Sequence, residues 1–159
     1  MTLTTPDLWY CDSCGESITE PGKSLVIWRE DADGPAHDFR LVHKSTDGRK
    51  CDPGFKGGYS PSNDISIYLG PEGTQRLLSH LSSGPLMTLA QGPSSRTVDA
   101  YDFVDVFRRL QTPYYEEARR HFGCPAVQQE YEGAGEALPY LPKSLEHIAT
   151  LCVDCEVGH

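Results

Sequence analysis

Alternation of apolar and polar positions marks the first part of the chain as β-rich. The segment Ser24–Glu30 is rich in β-branched and aromatic residues, and a cluster of turn-forming residues follows it directly. The next segment, Phe39–His43, places Phe39, Leu41 and His43 on one face, because successive side chains of a strand point to opposite sides. The two segments predict a β-hairpin whose second strand ends on a histidine.

The pattern changes near residue 70. A third short strand is predicted over Ile65–Leu69, and apolar residues then recur at helical spacing. Helices are expected over about residues 71–83, 97–110, 113–122 and 144–152, and the segment 83–97, with its Ser, Gly and Pro, is interpreted as a linker. The sequence therefore predicts an α+β fold, with a β-rich unit at residues 1–69 and a helical region at 70–159.

Composition and net charge limit the kinds of function that the protein can have. The chain has 159 residues, of which 38% are hydrophobic and 23% charged, as in a folded globular protein. Its formal net charge of -9 argues against a general phosphate-binding surface, which depends on Lys and Arg. A local basic segment is the exception. It contains Arg40, Lys44, Arg49, Lys50 and Lys56.

The expected cellular location of the protein decides how its cysteines are interpreted. The N-terminus has neither a basic nor an apolar signal-peptide region, and no long apolar run follows, so we expect a cytoplasmic protein that is not in a membrane. Disulfides are rare in that reducing compartment. The six cysteines are therefore better explained as metal ligands or redox pairs than as a disulfide framework.

The most specific chemical motif is the Cys-x-x-Cys-Gly sequence at Cys11, Cys14 and Gly15. Two thiolates at this spacing fit a tight knuckle, in which both reach one tetrahedral Zn²⁺. A redox pair is the main alternative. A redox motif of the thioredoxin type follows a strand and opens a helix, whereas the residues after Gly15 are rich in turn formers.

The predicted hairpin supplies the other half of the site. A chain that leaves the knuckle, runs out and returns brings His43 back beside the two cysteines, and Cys51 follows it. The complete pattern is Cys-x2-Cys-x28-His-x7-Cys, with His37 as an alternative to His43. Four protein ligands close the coordination sphere, so the predicted zinc is structural and the N-terminal unit is expected to resemble a zinc ribbon or treble clef.

Several of these segments occur together in a known group. The knuckle at Cys11–Gly15, the strand Phe39–His43, the downstream Cys51, the segment Leu69–Ser79 and the segment Pro113–Arg119 resemble a group of small uncharacterised bacterial proteins. That group shares a Phe-Arg-x-Val-His strand and a Gly-Pro-x-Gly-x-x-Arg-Leu-Leu helix. The resemblance implies the same four zinc ligands. It also implies that the β-rich unit and the helical region are parts of one architecture.

A second metal site is suggested where the chain departs from that group. His121, Cys124, Cys152 and Cys155 form the pattern His-x2-Cys-x27-Cys-x2-Cys. A second zinc at these residues would hold the last helix against the third. Several alternatives stay open: Cys152 as a core residue, His147 or His159 as the nitrogen ligand, and one zinc shared by both Cys-x-x-Cys motifs.

Catalysis has weaker support. Glu116, Glu117, Arg119 and Arg120 lie on one predicted helix, where such charges usually form a solvated face. The sequence has no nucleophile-elbow, phosphate-loop or His-Glu-x-x-His motif. The leading hypothesis is a non-catalytic interaction or regulatory protein with structural zinc. Nucleic-acid binding through the basic loop 40–56 is the alternative, and a zinc-dependent hydrolase ranks below both.

A protein partner would need exposed side chains to contact. Trp28, Tyr114 and Tyr115 are candidates for such a surface. The competing interpretation is that they are core residues, because short helices and small sheets need large aromatic side chains for packing.

Overall fold

Two small antiparallel sheets form the N-terminal part of the fold. The computed structural model describes residues 5–32, 34–46, 48–91 and 98–151. The first sheet pairs β1 with β2, and the second has the order β4-β3-β5. The strands are β1 (Trp9–Tyr10), β2 (Ser17–Ile18), β3 (Ser24–Arg29), β4 (His37–His43) and β5 (Ser62–Asp64).

The predicted hairpin is confirmed. β3 and β4 pair in antiparallel register, with Ser24 opposite His43 and Val26 opposite Leu41. The third strand was predicted wrongly, because the strand pairing with β3 is β5 and residues Ile65–Tyr68 form a 3₁₀ helix. Ile65 and Tyr68 are buried from that helix, so their apolar character reflects burial and not strand geometry.

Helices make up the rest of the described fold, so the predicted α+β class is confirmed. They are α1 (Gly70–Leu78), α2 (Gly84–Gln91), α3 (Ala100–Gln111), α4 (Tyr115–Arg119), α5 (Pro125–Glu130) and α6 (Pro142–Leu151). Short 3₁₀ turns connect them and the strands. These turns are Pro21–Lys23, Phe55–Gly57, Ile65–Tyr68 and Leu138–Tyr140.

Three helical predictions differ from the structure. Residues 84–91 of the expected linker form α2, while residues 92–97 lie outside the described part of the chain. α4 is shorter than the predicted helix 113–122, because Tyr114 at its start has a left-handed φ of 65° that breaks the helical path. α5 was not predicted, although Pro125 stands at its first position.

Two hydrophobic clusters fill the interior. The first joins the sheets to α1 and α3, and its most deeply buried members include Trp9, Ile27, Leu41, Leu77 and Leu110. The second lies among α4, α5 and α6 and includes Tyr115, Val127, Leu145 and Ile148.

The three aromatic candidates for a contact surface separate by burial. Trp28 and Tyr115 are each only 4% exposed and belong to the two hydrophobic clusters, as their interpretation as core residues requires. Tyr114 is 39% exposed. In the part of the chain that the structure describes, no helix has the length and apolarity needed to cross a bilayer.

Candidate metal centre

Cys11, Cys14, His43 and Cys51 come together at one end of the β-rich part. Each offers one sulfur or nitrogen atom, and these four atoms all lie within 4.8 Å of one another. Zinc bonds of about 2.3 Å to sulfur and 2.0 Å to nitrogen put tetrahedral ligand atoms about 3.5–4 Å apart. The four side chains are therefore spaced so that a small inward movement would close them around a metal ion.

A tight turn between β1 and β2 positions the first two thiols. The amide of Gly15 donates to the carbonyl of Cys11 at 2.8 Å, and the amide of Cys11 donates to the carbonyl of Glu16 at 2.9 Å. Gly15 has a φ of 76°, a left-handed conformation that glycine adopts without a Cβ clash. The Cys-x-x-Cys-Gly motif thus forms the predicted knuckle.

Backbone amides surround the sulfur of Cys11. Burial raises the pKa of this thiol, but hydrogen bonds from the backbones of Cys14, His43 and Ser13 lower it, and the net pKa falls below the ordinary value. Donors aimed at a sulfur favour its thiolate form, which is the form that binds metal. The fold therefore stabilises a negative charge on Cys11.

His43 enters the cluster from the last position of β4. Its Nε2 lies 3.2 Å from the carbonyl oxygen of Ser17, and its Nδ1 lies 3.6 Å from the sulfur of Cys14. A carbonyl can only accept, so Nε2 carries the proton and donates to it. Nδ1 is then left with its lone pair facing the thiols, an arrangement in which an outer hydrogen bond fixes the tautomer of a ligating histidine.

His37 does not join the group. Its Nδ1 lies 2.9 Å from the carbonyl oxygen of Pro35 and 3.9 Å from a carboxylate oxygen of Asp31, at the opposite end of β4 from His43. The ring of His43 is thus the imidazole that the structure brings to the three cysteines.

Cys51 completes the group from the loop after β4. Burial raises its pKa to about 11, and hydrogen bonds that the protonated Cys51 thiol makes to Cys14 and Cys11 add to the shift because they stabilise the neutral form. Three neighbouring thiols cannot all ionise at neutral pH without a cation, because like charges at this range repel. A divalent metal would remove that conflict, and its binding would release the proton of Cys51.

A buried ionic network ties the knuckle to the helices. Arg109 of α3 is only 2% exposed, and its guanidinium donates to the carboxylates of Asp12 and Glu116. Asp12 lies between the first two cysteines, and Glu116, from α4, accepts the backbone amide of Tyr10 at 2.9 Å. The expectation that Glu116 lies on a solvated face is wrong, since this side chain is 1% exposed.

The same network sets the backbone of the knuckle against β4. The amide of Asp12 donates to the carbonyl of Leu41 at 2.8 Å, and the carboxylate of Asp12 accepts the amide of Leu41 at 2.7 Å. Asp12 thus bridges the strand that carries His43 and the buried arginine of α3. Local sequence patterns carry no signal for this arrangement, because its members are far apart in the chain.

Most side chains of the basic loop have acidic neighbours. Arg40 pairs with Asp38, and Lys44 pairs with Asp64, each at 2.8 Å. Arg49 contacts Glu16 at 2.7 Å and lies beside the metal-ligand group, with its Nη1 3.4 Å from Nδ1 of His43. These pairs reduce the positive field of the loop.

The second predicted site is described only in part. Cys124 is buried at the start of α5 and is disulfide-bonded, in contrast to the expectation that the cysteines are metal ligands and do not form disulfides. The amide of Cys124 donates to the carbonyl of His121 at 2.9 Å. His121 is half-buried, and desolvation together with Arg120 lowers its pKa. The alternative donor His147 contacts Glu130 at 2.9 Å. Cys152, Cys155 and His159 lie outside the described residues.

Comparison with protein-family models, with curated proteins and with solved structures gives no match for this chain. The functional argument therefore rests on the geometry of the site.

Proposed function

We propose that this chain binds one zinc ion through Cys11, Cys14, His43 and Cys51, and that the metal is structural in a non-catalytic interaction or regulatory protein. The single observation that carries the proposal is the convergence of three sulfurs and one imidazole nitrogen within 4.8 Å. Thiolate and imidazole ligands in a tetrahedral set are typical of structural zinc sites.

The path of the chain supports a structural role. The ligands come from the β1–β2 turn, the end of β4 and the loop that follows, so one ion would cross-link three segments of a small sheet region. Binding of a metal to the folded state alone adds its binding free energy to the stability of the fold. A zinc ribbon or treble clef remains our proposal for the family of this unit.

Catalysis at this centre is not favoured. Catalytic zinc usually has three protein ligands and keeps a position for water or substrate, whereas four protein ligands fill a tetrahedral sphere. Among the described residues the four ligand side chains are also mostly shielded, since three of them are buried and only Cys14 is exposed. A hydrolase therefore ranks last.

A protein partner is favoured by exposed apolar side chains on α2. Leu86 is 78% exposed and Leu89 is 87% exposed, on a helix of eight residues. Exposed leucines at this density are characteristic of contact surfaces. The proposed interaction role predicts that Leu86→Glu and Leu89→Glu together abolish association with a partner protein while leaving the zinc content unchanged.

Nucleic-acid binding through the basic loop is the second candidate. The observation in its favour is that Phe55 is 83% exposed and lies beside Lys56, and an exposed aromatic next to a cation can stack on a base. The acidic partners of Arg40, Lys44 and Arg49 and the net charge of -9 weigh against it. A second zinc at His121, Cys124, Cys152 and Cys155 is a separate proposal, and it requires that the disulfide of Cys124 be reduced.

Elemental mass spectrometry tests the main proposal. Protein purified without added metal should contain about one zinc for the N-terminal group, and Cys51→Ser, which binds the ion more weakly, should be purified with much less zinc and lower thermal stability. Cys152→Ser/Cys155→Ser is the matched control, because it should leave this ion in place and remove a second one only if the second site exists. A wild-type chain that holds no zinc would refute the proposal.

A further inference from the structure

A polar cavity lies directly behind the metal-ligand histidine. Its volume is about 370 Å³, and it is formed by the segment around β2, the start of β3 and the residues that follow β4. His43 forms part of its wall. Small-molecule clefts begin at about 300 Å³, so the cavity is large enough for a compact polar ligand.

One buried hydroxyl in the cavity wall lacks a partner. Ser24 is 1% exposed, and among the described residues its Oγ has no hydrogen-bond partner. A buried polar group without a partner costs free energy, and such groups in native proteins usually indicate a missing water, ion or ligand. Ser24 lies opposite His43 in the β3–β4 register, and both residues form part of the cavity wall.

The rest of the lining suits an anion. Lys44 and Arg49 contribute positive charge, Thr46 contributes a hydroxyl, and Glu20 is the carboxylate among the described residues of the lining. Glu20 contacts Lys23, another cation of the wall, at 2.8 Å. The described residues of the lining therefore include more positive than negative side chains, in contrast to the chain as a whole.

The two main cations retain donors for a ligand. Lys44 donates to the carbonyl of Gly22 and to Asp64, which uses two of its three ammonium protons. Arg49 contacts Glu16 through Nη1, and a guanidinium has five N–H donors in all. Both pairs are partly solvent-exposed, and exposed ion pairs contribute little free energy, so an anion can share or replace the carboxylates.

We propose that this cavity is a binding site for a phosphate-type oxyanion, held by Lys44 and Arg49 with the hydroxyl of Ser24 as a hydrogen-bond donor. Such a group is carried both by small phosphorylated molecules and by a nucleic-acid backbone. The inference goes beyond the proposed structural zinc, and the ligand would lie next to His43 without coordinating the metal.

The test uses zinc-loaded, full-length protein whose metal content has been measured, so that a missing metal is distinguished from a missing anion site. Inorganic phosphate is titrated at constant ionic strength while binding and the thermal midpoint are recorded. Lys44→Gln and Arg49→Gln should each weaken binding roughly tenfold, the usual effect of losing one charge-assisted hydrogen bond. Glu16→Gln should tighten binding, because it removes the carboxylate that competes for Arg49.

Ser24→Ala should affect the melting temperature differently without phosphate and with phosphate. Without phosphate the variant should melt at the same temperature as the wild type or higher, since it removes a buried hydroxyl that has no partner. With phosphate it should show a reduced increase in melting temperature. Lys56→Gln is the matched control, because it removes one cation of the same loop outside the cavity and should leave phosphate binding unchanged.

Two further probes separate the sources of the phosphate. A small phosphate monoester that binds as well as inorganic phosphate indicates a small-molecule ligand, whereas a single-stranded oligonucleotide that binds much more tightly than either indicates a nucleic-acid backbone. The proposal is overturned if phosphate neither binds nor raises the melting temperature, or if Lys56→Gln weakens binding as much as Lys44→Gln and Arg49→Gln.

Discussion

Arg109 of α3 donates a hydrogen bond from Nη1 to Oδ2 of Asp12 at 2.7 Å, across a sequence separation of 97 residues. Asp12 stands between Cys11 and Cys14, two of the four candidate metal ligands. The guanidinium also contacts Glu116 of α4 and the carbonyl of Tyr10. One buried side chain therefore connects the knuckle to two helices, and the geometry of the metal centre depends on how the helices pack.

Replacing Arg109 should be strongly destabilising. Arg109→Leu removes the buried cation that pairs with the carboxylate of Glu116, which then keeps the amide of Tyr10 and the more distant Arg119. Loss of one member of a buried ion pair typically costs about 3–5 kcal/mol. Denaturant unfolding of the zinc-loaded protein measures the change. Arg76→Leu, an exposed arginine on α1, should change the free energy of unfolding by about 0.5 kcal/mol or less.

A double variant separates the charge effect from a packing effect. Arg109→Leu/Glu116→Leu removes both buried charges, and such replacements often recover most of the lost stability. If the double variant is no more stable than Arg109→Leu alone, the buried charge on Glu116 is not the source of the destabilisation.

The convergence of Cys11, Cys14, His43 and Cys51 could be predicted from the sequence because each candidate ligand lies next to a local signal. The Cys-x-x-Cys-Gly turn and the alternation of Phe39–His43 each follow from nearest-neighbour geometry, and the hairpin then brings His43 back to the cysteines. No comparable signal marks Arg109 and Glu116. The charge of Glu116 predicted exposure, Arg109 was not singled out, and only the tertiary fold buries the two side chains.

Helix and strand boundaries failed where tertiary contacts override the local pattern. Ile65–Tyr68 has the apolar residues of a strand, yet it forms a 3₁₀ helix against α1. The Gly84–Pro85 pair, which falls in the expected linker 83–97, instead begins α2, which agrees with the tolerance of proline in a first helical turn. A short segment whose sequence fits more than one type of secondary structure cannot be assigned from hydrophobic periodicity alone.

The tautomer of His43 gives a spectroscopic prediction. Because Nε2 faces the carbonyl of Ser17 and Nδ1 faces the thiols, the zinc-loaded protein should show a protonated Nε2 and a metal-bound Nδ1. Long-range proton–nitrogen NMR of the imidazole ring distinguishes the two nitrogens. Signals of the opposite tautomer would contradict the arrangement, and His43→Gln assigns the resonances.

Metal affinity should rise with pH. With a pKa of about 11, Cys51 is protonated in the metal-free protein near neutral pH, and metal binding must displace that proton. Each displaced proton adds about one unit to the slope of the logarithm of the zinc association constant against pH. The affinity for zinc therefore falls as the pH falls. Competition with a chelator between about pH 7 and 9 measures the slope.

The matched variant for this slope is Cys51→Ser. It should bind zinc more weakly, and its slope should be smaller by about one proton, because the displaced proton of Cys51 is gone. An affinity that does not change with pH in the wild type would mean that the thiols are already ionised without metal. That result would contradict the raised pKa of Cys51.

Gly73 in α1 should not tolerate a side chain. A Cβ at this position would lie 2.0 Å from the carbonyl carbon and 2.1 Å from the carbonyl oxygen of Tyr68, both backbone atoms. Gly73→Ala must therefore push α1 away from the 3₁₀ helix Ile65–Tyr68, and overpacking of this kind costs about 1–3 kcal/mol. Thermal and denaturant unfolding of the zinc-loaded variant measures the loss.

Gly22→Ala is the control for this prediction. A Cβ at Gly22 meets no atom within 4 Å, and its φ lies outside the left-handed region, so alanine should be neutral or stabilise by up to about 1 kcal/mol through a less flexible unfolded chain. If Gly73→Ala unfolds at the same denaturant concentration as Gly22→Ala, the close contact between α1 and Tyr68 does not exist in solution. Because α1 and α3 pack in the first hydrophobic cluster, a loss at Gly73 should also weaken zinc retention.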